Sequence, residues 1–198
     1  MWARTFLLIA LAARVAAPQA IEFESNGLKY QTLTRNGVTL MYAHLPVHVR
    51  EFMILQVAVS NGGRAPAMVK PEDFRFERSD GTVVRAAAAR YVVDSLLERG
   101  NRGDVIKLVS TYESALYGMQ RIRSTNGYEQ RRRDALAEVS STRLKAAAAA
   151  SAIALVQTRL IAGQSTDGAV FFPTDGKPLG SGRLVVRAAG TEFGFNAE

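Results

Sequence analysis

The sequence predicts an α+β fold, an antiparallel β-sandwich interrupted by an inserted α-helical hairpin or bundle. Three observations carry this. From residue 21 to about residue 85, apolar residues recur in short runs of period two, separated by turn signals. Between residues 86 and 162 the apolar period lengthens to 3.6. From residue 163 to the end the period of two returns. An apolar content of 47% is that of a globular chain with a real core.

The central stretch is Phe52–Ser60, where Leu55, Val57 and Val59 share one face of a strand that stops at Asn61-Gly62-Gly63. Asn61 is expected to fix that strand end by bonding its amide to nearby backbone. Upstream, Leu28–Thr34 and Val38–Ala43 flank Asn36-Gly37, the strongest short-range signal for a hairpin. A short loop containing Pro46 is expected to lead into Phe52. Downstream, Pro71 and Glu72 lead into a strand with Phe74 and Phe76 on one face. Ser79-Asp80-Gly81 then turns the chain into Thr82–Arg85.

The first helical stretch, Ala86–Arg99, carries Tyr91, Val92, Ser95 and Leu96 and stops at Gly100. The second opens at Asp104, the expected N-cap. Its stripe is Val105, Leu108, Val109, Tyr112, Leu116, Met119 and Ile122, spaced by threes and fours. Asn126-Gly127 breaks it, and a long helical segment follows from Tyr128 to about Ala162. The alanines at 146–150 favour helix and permit close approach to a neighbouring surface. Strand patterning resumes with Ala169–Phe172, Arg183–Arg187 and Thr191–Phe195, the last two joined by a turn at Ala189-Gly190.

The two β segments, 21–85 and 163–198, hold 101 residues and seven or eight strand candidates. That is the size of an immunoglobulin-like sandwich, so the fold class becomes an immunoglobulin-like sandwich with residues 86–162 inserted. No Pro/Ser-rich linker marks either junction, so the helices are expected to dock on the sandwich. A sandwich built from both segments is expected to bring Arg85 and Gly163 close together.

Residues 1–20 read as a secretory signal peptide. Arg4 precedes a short apolar run, and Ala16, Ala17 and Ala20 are small residues suited to cleavage. Arg14 interrupts the apolar run, which is too short to span a membrane. Cleavage after Ala20 leaves 23 basic against 18 acidic residues, a net charge of +5, and removes Trp2, the only tryptophan. No transmembrane span is then expected. The chain has no cysteine, which excludes a disulfide, a zinc–thiolate site, a cysteine nucleophile and a lipoprotein anchor.

Several stretches carry a family likeness. They are Asn61 at a strand end, Pro71-Glu72-Asp73-Phe74, Asp80-Gly81, and Gly168-Ala169-Val170-Phe171-Phe172. Together they resemble bacterial exported immunoglobulin-like domains of the DUF4352 type, over about half of the chain. The resemblance implies export and a binding or structural role. It transfers no catalytic residue, and the helical insertion departs from its pattern.

The chemistry-bearing residues are few. His44 and His48 are the only histidines, with Glu51 nearby. Pro46 between them removes the helical context that would make the four-residue spacing a metal motif, and they read as loop residues. The Asp-Gly pairs at Asp80, Asp167 and Asp175 read as turns rather than calcium loops. Neither G-x-S-x-G nor a phosphate-binding glycine loop is present. No catalytic, cofactor-binding or metal-binding residue is therefore assigned, and no cofactor is expected. The sharpest charge run is Arg131, Arg132 and Arg133, with Arg121 and Arg123 just before it. It reads as a solvated helix face or as a site for an anionic partner.

The expected role is a non-enzymatic, exported interaction or structural protein of the bacterial envelope. Its partner would be another envelope protein or an anionic envelope polymer rather than nucleic acid. Two alternatives stand beside it: an envelope hydrolase using a histidine of the 44–51 stretch, and a chaperone-like sandwich that binds client strands.

Overall fold

The computed structural model describes residues 19–118 and 140–197, together with Thr125, Gln130, Arg133, Asp134 and Ala137 between them. The expected signal peptide lies outside the described residues, save its last two. So do Met119, Ile122, Arg121, Arg123, Arg131 and Arg132.

Among the described residues the elements follow in the order β1 Ile21–Ser25, β2 Leu28–Arg35, β3 Val38–Val49, β4 Phe52–Asn61, β5 Ala67–Val69, β6 Phe74–Arg78, β7 Val83–Arg85, α1 Ala89–Arg99, α2 Arg102–Gly118, α3 Thr142–Ile153, β8 Thr158–Leu160, β9 Ser165–Pro173, β10 Gly182–Ala188 and β11 Thr191–Ala197. The pairings between these strands are antiparallel, and one isolated parallel bridge joins Ala154 to Ala169. One sheet has the order β1-β2-β3-β4-β9, a second β11-β10-β6-β7, and a small third joins β5 to β8. Strands from both sides of the helical block thus pair in the same sheets: β4 with β9, and β6 with β10.

The strand period sorts β4 between two cores. Met53, Leu55, Val57 and Val59 face the second sheet, where they meet Phe74, Phe76, Leu184, Phe193 and Phe195. Phe52, Ile54 and Ala58 face the opposite way, onto Leu96, Leu108, Tyr112 and the alanines of α3. The molecule therefore has three layers: helices, five-stranded sheet, four-stranded sheet. α3 packs against both α1 and α2. Its Ala146, Ala149 and Ala150 are fully buried, so their small side chains are what let it lie close.

The helical block leaves and returns along one strand. Ala87 N–H donates to the Phe171 carbonyl at 2.7 Å, and Leu155 N–H donates to the Ala169 carbonyl at 2.8 Å. The excursion thus closes at Leu155, and the helical segment ends at Ile153 rather than near Ala162. Thr158–Leu160 is strand instead. Gly163 lies elsewhere: its N–H bonds the Asn61 carbonyl at 2.7 Å, at the other end of β9 from Phe171. At about 3.3 Å per residue, those two ends of β9, Phe171 and Ser165, lie about 20 Å apart. Arg85 stands two residues from the first contact and Gly163 two residues from Ser165, so the chain does not leave and return at the one point expected.

Other boundaries shift for local reasons. β3 does not end before Pro46. It continues to Val49 through a register shift between His44 and His48, with Pro46 exposed within it. A proline is tolerated there because a bulge releases its position from the ladder. The two histidines are therefore strand residues rather than loop residues. Asp167-Gly168 is not a turn but lies buried inside β9. A Cβ on Gly168 would meet the backbone of Leu155 at 2.5 Å, so glycine is what admits the returning chain. Asp104 is not the N-cap of α2. Asn101 caps it, its Oδ1 accepting the Asp104 N–H at 3.0 Å while Asp104 accepts the Asn101 N–H at 2.9 Å, a reciprocal capping pair.

Candidate functional site

The five-stranded sheet is wider than its partner on one side. β11 lies over β2, and β1 projects beyond it, paired only with β2 among the described residues. β1 is formed by Ile21–Ser25, closed onto β2 through Asn26-Gly27 with φ of 51° and 73°. Those are the positive values that a two-residue type I′ hairpin requires. The apolar residues of β1 are exposed, Ile21 at 67% and Phe23 at 40%. Phe23 stacks on Tyr30 at 5.2 Å between ring centroids.

Beneath this overhang lie two cavities. The outer one, about 620 Å³, is lined by Glu22, Glu24, Lys29, Gln31 and Asn196 among others. The inner one, about 260 Å³, penetrates between the sheets and is lined chiefly by Met53, Leu55, Phe76, Leu179 and Leu184. Tyr42, His44 and Ala197 line both and form the neck between them.

The neck is held in place by a side-chain network. The Tyr42 hydroxyl donates to Gln31 Oε1 at 3.1 Å. Gln31 Nε2 donates to Glu22 Oε1 at 2.6 Å and to the Asn196 carbonyl at 2.9 Å, tying β2 to β11 across the gap. The Tyr42 ring meets Phe195 edge-on at 5.1 Å. Burial, and then the Glu22 carboxylate, push the Tyr42 phenol up to about 12, so it stays a neutral donor. His44 keeps an exposed side chain, and the partial desolvation of its ring at the pocket wall, followed by the neighbouring His48, lowers its pKa. His48 lies 3.4 Å from the Lys177 carbonyl through Nε2.

Chemically, the arrangement offers an apolar recess behind a polar, hydrogen-bonding mouth, beside the outer edge of β1, which no strand among the described residues pairs. Among the described residues no group of three His, Cys, Asp or Glu stands close enough to hold a metal ion. Of the five arginines singled out in the sequence, Arg133 is described, and it is helical and exposed. The sequence reading missed β1, and with it this site. The signal was present in Asn26-Gly27, a second Asn-Gly pair ten residues before the first one used.

No protein-family model matches the chain, and no curated protein matches it. Among solved structures, the chain is similar to the crystal structure of the yjhA protein from Bacillus subtilis. The identity is 11%, the TM-score is 0.33, and the match covers 84% of this chain and 77% of that one.

Proposed function

We propose that the chain is an exported, non-enzymatic interaction protein of the bacterial envelope, built on an immunoglobulin-like sandwich of the DUF4352 type. In this reading it holds an extended segment of another envelope protein at the edge of β1. One observation carries the reading: the β1 edge, unpaired among the described residues, stands beside a mouth that leads to an apolar recess. An added strand takes its affinity from backbone hydrogen bonds and its specificity from a pocket for a side chain. The inner cavity, about 260 Å³, is below the range usual for drug-sized ligands. It suits one large side chain better than a whole cofactor.

Two experiments test the proposal. Export predicts that intact protein from the producing cell lacks about 17–20 N-terminal residues, and a full-length mass in the cytoplasm contradicts it. Strand capture is tested with a photo-crosslinking residue at Phe23. The expected adduct is one recurrent extended segment of an envelope protein, lost when Ala197→Trp fills the neck. An adduct unaffected by Ala197→Trp, or equally frequent from a label at Val83, contradicts it. The hydrolase reading has one feature in its favour, the position of His44 at the neck with its pKa lowered. It requires that His44→Ala abolish turnover of an envelope substrate.

A further inference from the structure

A second surface carries an independent inference. Apart from its projecting β1, the five-stranded sheet is covered on both faces, by the helices and by the four-stranded sheet. The outer face of the four-stranded sheet has no covering element among the described residues. Strand parity fixes what it presents. Phe74, Phe76, Val84, Leu184, Val186, Phe193 and Phe195 point inward, so Arg75, Glu77, Arg85, Arg183, Arg187 and Glu192 point outward. The face thus holds four arginines and two glutamates.

Both glutamates are already engaged. Arg75 pairs with Glu77 at 2.8 Å and with Glu192 at 3.2 Å, and Arg187 lies 3.5 Å from Glu192. None of the ion pairs among the described residues takes Arg85 or Arg183, and both are exposed. Arg85 stands directly opposite Arg75 in the β6–β7 register, a like-charge juxtaposition that an anion would relieve. Arg183 stands opposite Glu77, yet its guanidinium lies over Gly194, which has no side chain to displace it. Val185 sits between Arg75 and Gly194 and is fully buried, consistent with arginine stems covering it.

We infer that this face binds an acidic polysaccharide, with Arg85 and Arg183 as its free anchoring cations. The occupant follows by elimination. A protein partner needs an apolar interface core, and Val83 is the one exposed large apolar side chain here. No aromatic side chain points outward to stack on the bases of a single-stranded nucleic acid. Nor is there an apolar wedge for a membrane. What remains is an exposed sheet face whose outward cations outnumber its carboxylates, which suits a linear polymer read by its charge. The choice of a polysaccharide over duplex DNA rests on the proposed export.

The test measures binding of the full chain to polygalacturonate as a function of salt. Duplex DNA and phosphatidylglycerol vesicles serve as parallel probes. The wild type should bind the polysaccharide with a salt-dependent constant. Arg85→Gln with Arg183→Gln should weaken that binding at least tenfold at low salt and flatten the salt slope by about one per arginine removed. Glu77→Gln, which releases Arg75, should tighten it. Arg102→Gln with Arg143→Gln, both exposed on the helical layer at the other side of the molecule, should weaken it far less. The inference is overturned if the polysaccharide does not bind, or if the double variant binds as the wild type does. It is also overturned if the helical-layer variant weakens binding as much as the double variant does, or if only DNA or vesicles are held. Thermal melts of each variant separate lost binding from lost folding.

Discussion

Asn61 offers the sharpest test of how the two halves of the sandwich are locked together. It ends β4 and is completely buried. Its Nδ2 donates to the carbonyls of Ala65 and Leu160, each at 2.9 Å, and its Oδ1 accepts the Gly63 N–H at 3.0 Å. The amide thus closes its own turn and clasps β8, 99 residues away in sequence. Asn61→Ala deletes three hydrogen bonds. At about 1 kcal/mol net for each, the loss is about 3 kcal/mol. For a chain of this size that lowers Tm by about 6–12 °C. Asn61→Asp keeps the shape but turns a donor into an acceptor facing two carbonyls, so at neutral pH it should cost at least as much. The buried aspartate would titrate above its unfolded value of about 3.9 in the folded state. The unfolded chain then loses its proton first as pH rises, and stability falls from about pH 4 upward. The deficit of Asn61→Asp should therefore shrink below pH 4, while that of Asn61→Ala should not. Urea denaturation with linear extrapolation measures both. A loss below about 1 kcal/mol for both variants would refute the clasp.

Other perturbations have equally direct outcomes. Asp104→Ala removes its own half of the reciprocal cap of α2, the bond from the Asn101 N–H, and the 2.9 Å pairing with Arg50 at the β3–β4 turn. It should cost about 2 kcal/mol by chemical denaturation, more than Asp94→Ala, whose exposed pair with Arg90 contributes little. Gly168→Ala drives a methyl into Leu155 and should cost about 1–3 kcal/mol, with the Leu155 amide losing its exchange protection first. His44 has a lowered folded pKa. Its unfolded form takes up a proton first as pH falls through about 6.5, so stability should decline on acidification below that point. His44→Gln should flatten this part of the pH profile.

Legibility in the sequence followed burial pattern. β4, β6, β10 and β11 were readable because alternating apolar residues and a Gly-containing turn agree at each. β1 was not read, because IEFES is short and mostly exposed, so its two apolar residues do not report a core. The extension of β3 was hidden by Pro46, a breaker in sequence that the bulge accommodates in space. Asp167-Gly168 looked like turn chemistry, yet its glycine answers to the approach of Leu155, a contact no local pattern encodes. The end of the third helix was misplaced for a similar reason. Thr158–Leu160 becomes strand by pairing with β5, about 90 residues earlier. The groove could not be seen at all from local signals, because Tyr42, His44 and Ala197 meet only once the two sheets are stacked.

Both the groove and the basic face depend on strands from either side of the helical block sharing sheets. Cross-strand NOEs in the full chain test that most directly. The account predicts contacts between Val57 and Gly168, between Leu55 and Val170, and between Phe76 and Leu184. If β9 and β10 show NOEs only with residues that follow the helices, the two segments form separate sheets and the account is wrong.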